Sequence, residues 1–372
     1  MKRTIVVHVV ALLVAWTLLA DARPVNAQPP AGAAPAAVMA APCIGPLCCD
    51  QDACQEDCRS GGLIGGVGVY FIQPYFENNP AFTVTRSTGV VDTRVDRTDL
   101  RHHMTAAPEL WLGYVGESGL GARLRWWYFR QGTDLAQSVP ADTVGDSVRF
   151  DSAAPLGIAA FTDNDARPAS IAVTSKLQLQ VWDLEAMQTL RNGAWDFLFS
   201  GGLRLAHVNQ HYNAYVAGDS GGAGGPITAS VESGHSFHGA GPVVALDARR
   251  RLADSGLALY GVVRGSLLFG SAKQSVVDTF QAGAGPVEIA VGEDHRSRVM
   301  PVGELELGVE YRRGLDAVQA FGQLALVGQG WIGAGNASRS TQTNSFGVPD
   351  GGSIIDNDLG FFGLVLRLGV DF

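Results

Sequence analysis

The feature that most constrains this chain is its last strand-like segment, which has a period of two and ends in an aromatic residue. Phe362, Leu364, Leu366, Leu368 and Val370 are apolar, the positions between them include Gly363, Arg367, Gly369 and Asp371, and Phe372 ends the sequence. Such a strand places one face in hydrocarbon and the other in a polar interior. In lipid, every backbone N–H and C=O must find a partner within the protein, which strands achieve only in a closed sheet. The expected fold is therefore all-β: a closed, antiparallel, up-and-down transmembrane β-barrel.

The opposite end fits export. Lys2 and Arg3 precede an apolar run from Ile5 to Leu19, and Val25, Asn26 and Ala27 offer a small-residue cleavage site before Gln28. Residues 1–27 read as a secretory signal peptide. Nothing downstream reaches the roughly 20 apolar residues that a helical span requires. Residues 28–60 form a Pro/Ala-rich and then Cys-rich periplasmic extension, expected to be disordered, which holds all five cysteines: Cys43, Cys48, Cys49, Cys54 and Cys58. Exported cysteines usually oxidise, and an odd number leaves one thiol for another chain, so local disulfides and cross-links between neighbours are both open. Residues 61–372 are assigned to the barrel.

Lysine is confined to Lys2, Lys176 and Lys273, and the net charge is −9. No basic stripe exists to track phosphates, so a nucleic-acid partner is not expected. From Gly61 onward, about ten segments alternate in polarity over the length that a tilted strand needs to cross a bilayer, with twelve strands also within reach. They lie near 65–76, 107–115, 119–130, 174–190, 195–212, 235–250, 257–271, 299–312, 318–331 and 360–372. Short links at 116–118, 192–194, 252–256 and 314–317 alternate with long ones near 77–105, 131–173, 213–234, 272–296 and 332–357. Short periplasmic turns and long external loops are what an outer-membrane barrel shows. An even strand count puts both barrel ends on the periplasmic side.

On the outward faces, Phe372, Tyr311, Phe197 and Phe199 fall near the periplasmic ends, and Phe362, Phe269 and Tyr128 near the external ends, as two aromatic girdles would. Inward positions carry roughly equal numbers of acids (Glu109, Asp183, Glu185, Asp247, Glu304, Glu306 and Glu310) and arginines (Arg123, Arg125, Arg204, Arg249, Arg264, Arg312 and Arg367). This predicts a lumen laced with ion pairs and only weakly selective. Barrels of about eight strands are filled by side chains, whereas aqueous channels are established by about 16, so conductance through ten strands should be small.

The histidines give little reason to expect catalysis. His102, His103, His207, His211, His235, His238 and His295 fall mostly in loops or near external strand ends. His207 and His211 share a strand face but stand about 13 Å apart along it at the usual rise, too far for one metal ion. His235 and His238 take opposite faces of a regular strand. No metal, no cofactor and no enzyme activity are expected. Asn336-Ala337-Ser338 matches a glycosylation sequon and is read as chance.

Several stretches carry a resemblance. These are Gly66 to Phe76, Trp111 to Tyr114, Arg125 to Phe129, Ala245 to Leu252, Tyr260 to Phe269 and Gly308 to Arg312. With them, the chain resembles the Legionella-type major outer-membrane, pore-forming family that is expanded in planctomycetes. Leu364, Leu366, Leu368, Val370 and Phe372 likewise resemble the C-terminal signal that barrel-assembly machinery reads in bacterial outer-membrane proteins. The resemblance implies a bacterial outer-membrane location, with outer-membrane lipids and the assembly machinery as partners, and a porin or surface antigen. It names no substrate. Two functions are open: a narrow, weakly selective passive pore for small hydrophilic solutes, or a non-conducting structural or adhesive protein acting through its external loops.

Overall fold

The computed structural model describes residues 61–88, 92–139, 146–152, 159–162, 169–219, 225–252, 255–315, 318–338 and 357–372. The segment expected to be a signal peptide, the extension behind it and its five cysteines lie outside these residues.

Fourteen strands form one sheet. Ten of them make a ring: β1 (Gly62–Phe76), β4 (Thr105–Val115), β5 (Leu120–Val139), β8 (Ala169–Asn192), β9 (Trp195–Asp219), β10 (Pro226–Arg251), β11 (Leu257–Ala282), β12 (Glu288–Leu315), β13 (Val318–Trp331) and β14 (Leu359–Asp371). Every neighbour is antiparallel, and β9 pairs with both β8 and β10, which closes the circuit. The first and last strands meet in register from Ile64↔Asp371 to Phe76↔Leu359 and so form one seam of the barrel.

Alternation explains why these segments form membrane strands. On β14, Phe362, Leu364, Leu366 and Leu368 are exposed while Phe361, Val365 and Arg367 are buried. On β5, Leu120 and Leu124 face out and Arg125, Trp127 and Phe129 face in. Exposed Tyr114, Phe199, Tyr311 and Phe372 mark the periplasmic rim of the apolar band. Exposed Tyr75, Trp182, Phe269 and Phe362 mark its external rim, where Trp126, Tyr128 and Trp182 also lie against one another. The periplasmic turns are tight, with positive-φ glycines at Gly119, Gly193 and Gly256, a conformation that other residues adopt only at a cost.

The external connections differ from expectation. Most of what reads as long loop is strand. β8, β9, β10, β11 and β12 are 24 to 28 residues long, far more than the roughly ten needed to span the bilayer. The 77–105 connection holds β2 (Pro80–Thr88) and β3 (Asp92–Asp99), and the 131–173 connection holds β6 (Asp146–Ser152) and β7 (Ala159–Thr162). β2 pairs with β3 and β6, β6 with β7, and β7 joins the upper end of β9 through a parallel bridge at Thr162↔Asp219. The physical reason is that strand pairing does not stop at the lipid surface. Outward residues turn polar there, but inward Ile171, Val173, Val216, Ala229 and Val231 continue the same period and pack with Phe82 and Val84 of β2 in a second apolar core.

Candidate functional site

The interior of the ring is built in layers, and the inward-facing rows of three strands read in the same order from the periplasmic side. On β5 the order is Arg123, Arg125, Trp127, Phe129; on β8 it is Glu185, Asp183, Val181, Leu179; on β12 it is Glu306, Glu304, Val302, Met300. A charged layer therefore lies below an apolar one.

The charged layer is a connected network. Asp183 accepts two hydrogen bonds from Arg204, at 2.7 and 2.9 Å, and one from Arg125 at 3.1 Å. Arg204 also pairs with Glu304 at 2.6 Å. Glu304 on β12 lies 3.6 Å from Arg125 on β5, a strand on the opposite side of the ring. Arg264 on β11 reaches Glu185 on β8 at 3.3 Å, and Arg123 on β5 pairs with Glu185 at 2.7 Å and approaches Asp247 on β10 at 3.8 Å. Arg367 joins Glu109 at 2.6 Å to Glu306 at 2.5 Å. Nearer the periplasmic mouth, Glu310 holds Arg249 at 3.1 Å, Arg312 and, at 2.5 Å, the Gln323 amide. Arg312 continues to Asp371 at 3.2 Å.

Of the fourteen charged residues singled out from the sequence, eleven are joined in this network, and Arg249, Glu310 and Arg312 form a second group with Asp371 nearer the periplasmic mouth. Sequence reasoning missed Tyr70, whose hydroxyl accepts from Arg125 at 2.5 Å and from Arg367 at 2.6 Å and donates to Glu109 at 3.1 Å. The signal was present: Tyr70 shares its strand face with Gly68 and Ile72, opposite the exposed Val67 and Phe71. The Gly66-x-Gly68 pair has a spatial purpose here. A Cβ at Gly68 would lie 2.8 Å from the Glu109 carboxylate, and one at Gly66 would lie 2.3 Å from the Trp111 ring.

Above the ions, Trp127, Phe129, Trp331 and Phe361 meet edge to face, with ring centroids 5.1 to 6.4 Å apart. Leu177, Leu179, Phe237, Leu268 and Met300 complete one contiguous apolar core inside the ring. Below lies a polar cavity of about 70 Å³ bordered by Glu109, Arg123, Arg125, Asp247, Arg264 and Arg367.

His207, His211, His235 and His238 sit on strands towards their external ends, as expected, whereas His295, expected in a loop, is on a strand because β12 runs further than expected. His207 and His211 are on β9, His235 and His238 on β10, and His295 on β12. His235 is buried and His238 exposed, on opposite faces. His102 lies in the connection after β3 and is buried. Burial and the neighbouring His103 lower its pKa to about 4. Burial, with Arg298 adding to it, does the same for His235. Asn336 is also buried, its amide donating to the Asn78 carbonyl at 2.8 Å.

In the external half, burial pushes the Asp278 carboxyl up to about 6, with the Thr279 N–H pulling the other way. Its folded pKa exceeds the ordinary value of 3.8. The folded state thus binds the extra proton first, and ionisation costs stability as pH rises through this window. Asp278→Asn should therefore raise stability relative to wild type above pH about 6, with the advantage disappearing by pH about 4. Unfolding midpoints of both proteins across that range check this. A difference that does not change with pH would contradict the assignment.

With this architecture established, comparison with known proteins places the chain in a class. The model of the family described as Legionella pneumophila major outer membrane protein precursor matches residues 58–372, and the chain belongs to that family. It is an outer-membrane β-barrel protein. No curated protein sequence matches it. Among solved structures, the outer-membrane protease OmpT from Escherichia coli aligns with 84% of this chain and 96% of its own, at 10% identity and a TM-score of 0.39. The P. putida toluene transporter TodX aligns over 83% and 89%, at 6% identity and 0.20. A Pseudomonas aeruginosa FadL homologue aligns over 84% and 90%, at 9% identity and 0.22. At these values, no property of those proteins transfers to this chain.

Proposed function

We propose that this barrel is closed at rest and serves as a structural and interaction protein of the outer surface, with the external sheet as its working part. The observation that carries this reading is the filled cross-section. Arg125 and Glu304 approach across the full width of the ring, and four aromatic rings pack directly above them. Desolvated pairs with several partners each resist separation, because removing one partner strands a buried charge. The external extension adds a large exposed β surface for adhesion. No catalytic role is assigned, since the histidines are scattered over both faces of several strands.

The narrow pore is the second reading. It is favoured by the polar cavity at the periplasmic end, where three acids and five arginines mix the two signs and would give weak selectivity. That reading requires the ionic and aromatic layers to part. Proteoliposomes loaded with a small fluorophore distinguish the two. The closed reading gives efflux at the rate of protein-free vesicles, and faster efflux in proportion to protein favours the pore.

A further inference from the structure

The outward faces of β5, β8, β9, β10 and β11 change from apolar to polar in matching register. Trp126, Trp182, Leu205, Ala240 and Phe269 occupy paired positions, and two residues further out the same strands present Tyr128, Gln180, His207, His238 and Ser271. At this boundary the small Ala240 lies between Leu205 and Phe269, which leaves a groove of about 490 Å³. The groove has an apolar lower wall of Trp182, Leu205 and Phe269 and an upper wall of Gln180, His207 and His238. The two imidazoles stack with centroids 3.7 Å apart, and His207 Nε2 is occluded with no hydrogen-bond partner.

Immediately above lies a second recess of about 410 Å³, whose lining includes Arg130, Lys176 and His211 and one acid, Glu232, on its outer side. Neither Arg130 nor Lys176 has an acidic partner among the described residues. In a chain of net charge −9, both lysines beyond Lys2 fall on this face, Lys273 being held by Glu293. Long basic side chains just outside an apolar belt can bend back to the headgroup level.

From this geometry we infer a binding site for a phosphorylated lipid of the outer leaflet. Its acyl chain lies in the groove at Ala240, and its phosphate is held by Arg130, Lys176 and the His207–His238 pair. The charge complementarity and the continuity of the groove with the lipid-facing belt select this occupant. A zwitterionic lipid would bring a cationic group to the same basic side chains, which offsets what its phosphate gains there, and a free phosphate would leave the apolar wall uncovered. The site is outside the barrel, so it holds whether the lumen is open or closed.

The test uses the full chain, extracted from membranes in mild detergent and exchanged into micelles doped with lipid A or with phosphatidylcholine. Native mass spectrometry then counts retained lipid. Wild type should keep one lipid A and release phosphatidylcholine. Lys176→Glu combined with Arg130→Gln should lose retention by roughly tenfold or more, given about 1 kcal/mol per basic residue near an anionic lipid. Ala240→Trp should lose it by filling the groove. Arg94→Glu, an exposed change on β3, should retain it. Heat-modifiable gel mobility verifies folding of each variant. Equal retention in all folded variants, or equal retention of phosphatidylcholine, would overturn the site, as would displacement of lipid A by inorganic phosphate alone.

Discussion

Asp183→Ala destabilises the barrel by about 3–5 kcal/mol, the cost of breaking a buried ion pair from one side. Asp183 is fully buried and receives hydrogen bonds from Arg204 and Arg125, with Arg264 3.9 Å away. Its removal leaves the equally buried Arg204 with Glu304 as its remaining acid, while Arg125 keeps Glu109 and Glu304. The loss is one of uncompensated charge, not of packing volume. Replacing both members with apolar residues, as in Asp183→Leu with Arg204→Met, should therefore recover much of the stability. Urea unfolding in detergent or bilayer, followed by gel mobility, measures both. A loss below about 1 kcal/mol for the single change would mean the layer is solvated like a surface.

Leu307→Arg is expected to cost about 2–4 kcal/mol, the range for a basic residue on the lipid face near the bilayer midplane. Leu307 is exposed on β12, opposite Gly261 and Leu326, and within the band bounded by Tyr311 and Val299. Exposure alone does not predict the cost. Val291, on the same strand, is more exposed at 74% but belongs to the external hairpin. There an arginine meets water, and Val291→Arg should change stability by no more than about 0.5 kcal/mol. The contrast between two exposed positions of one strand locates the hydrocarbon boundary. Similar losses at both would contradict the depth assigned to β12.

How much of this was legible in the sequence follows from which constraint is local. The ten ring strands, their faces and the inward charges all follow from period two, because lipid imposes one polarity on one face. Glu304, Glu306 and Glu310 opposite Leu305, Leu307 and Val309 on β12 show this directly. Strand length was not legible beyond the membrane. Where Lys176, Asn209 and His211 replace leucines outside, the bilayer signal ends, but Ile171, Val173 and Val216 keep the pairing inside. The packing partner that rewards them, Phe82 on β2, is distant in sequence. The filling of the lumen was only half legible. The charges were visible singly, but their meeting across the ring depends on diameter. Tyr70, Trp127 and Phe361 could be assigned inward without showing that their rings or hydroxyls would close the interior.

The central claim is that a closed ring of ten strands encloses a filled interior. Single-channel recording of the refolded full chain in planar bilayers tests it most directly. The account predicts a flat baseline from wild type, with any current steps arising only when the charged layer is broken, as in Asp183→Ala. Stable, discrete conductance steps from wild type would contradict it.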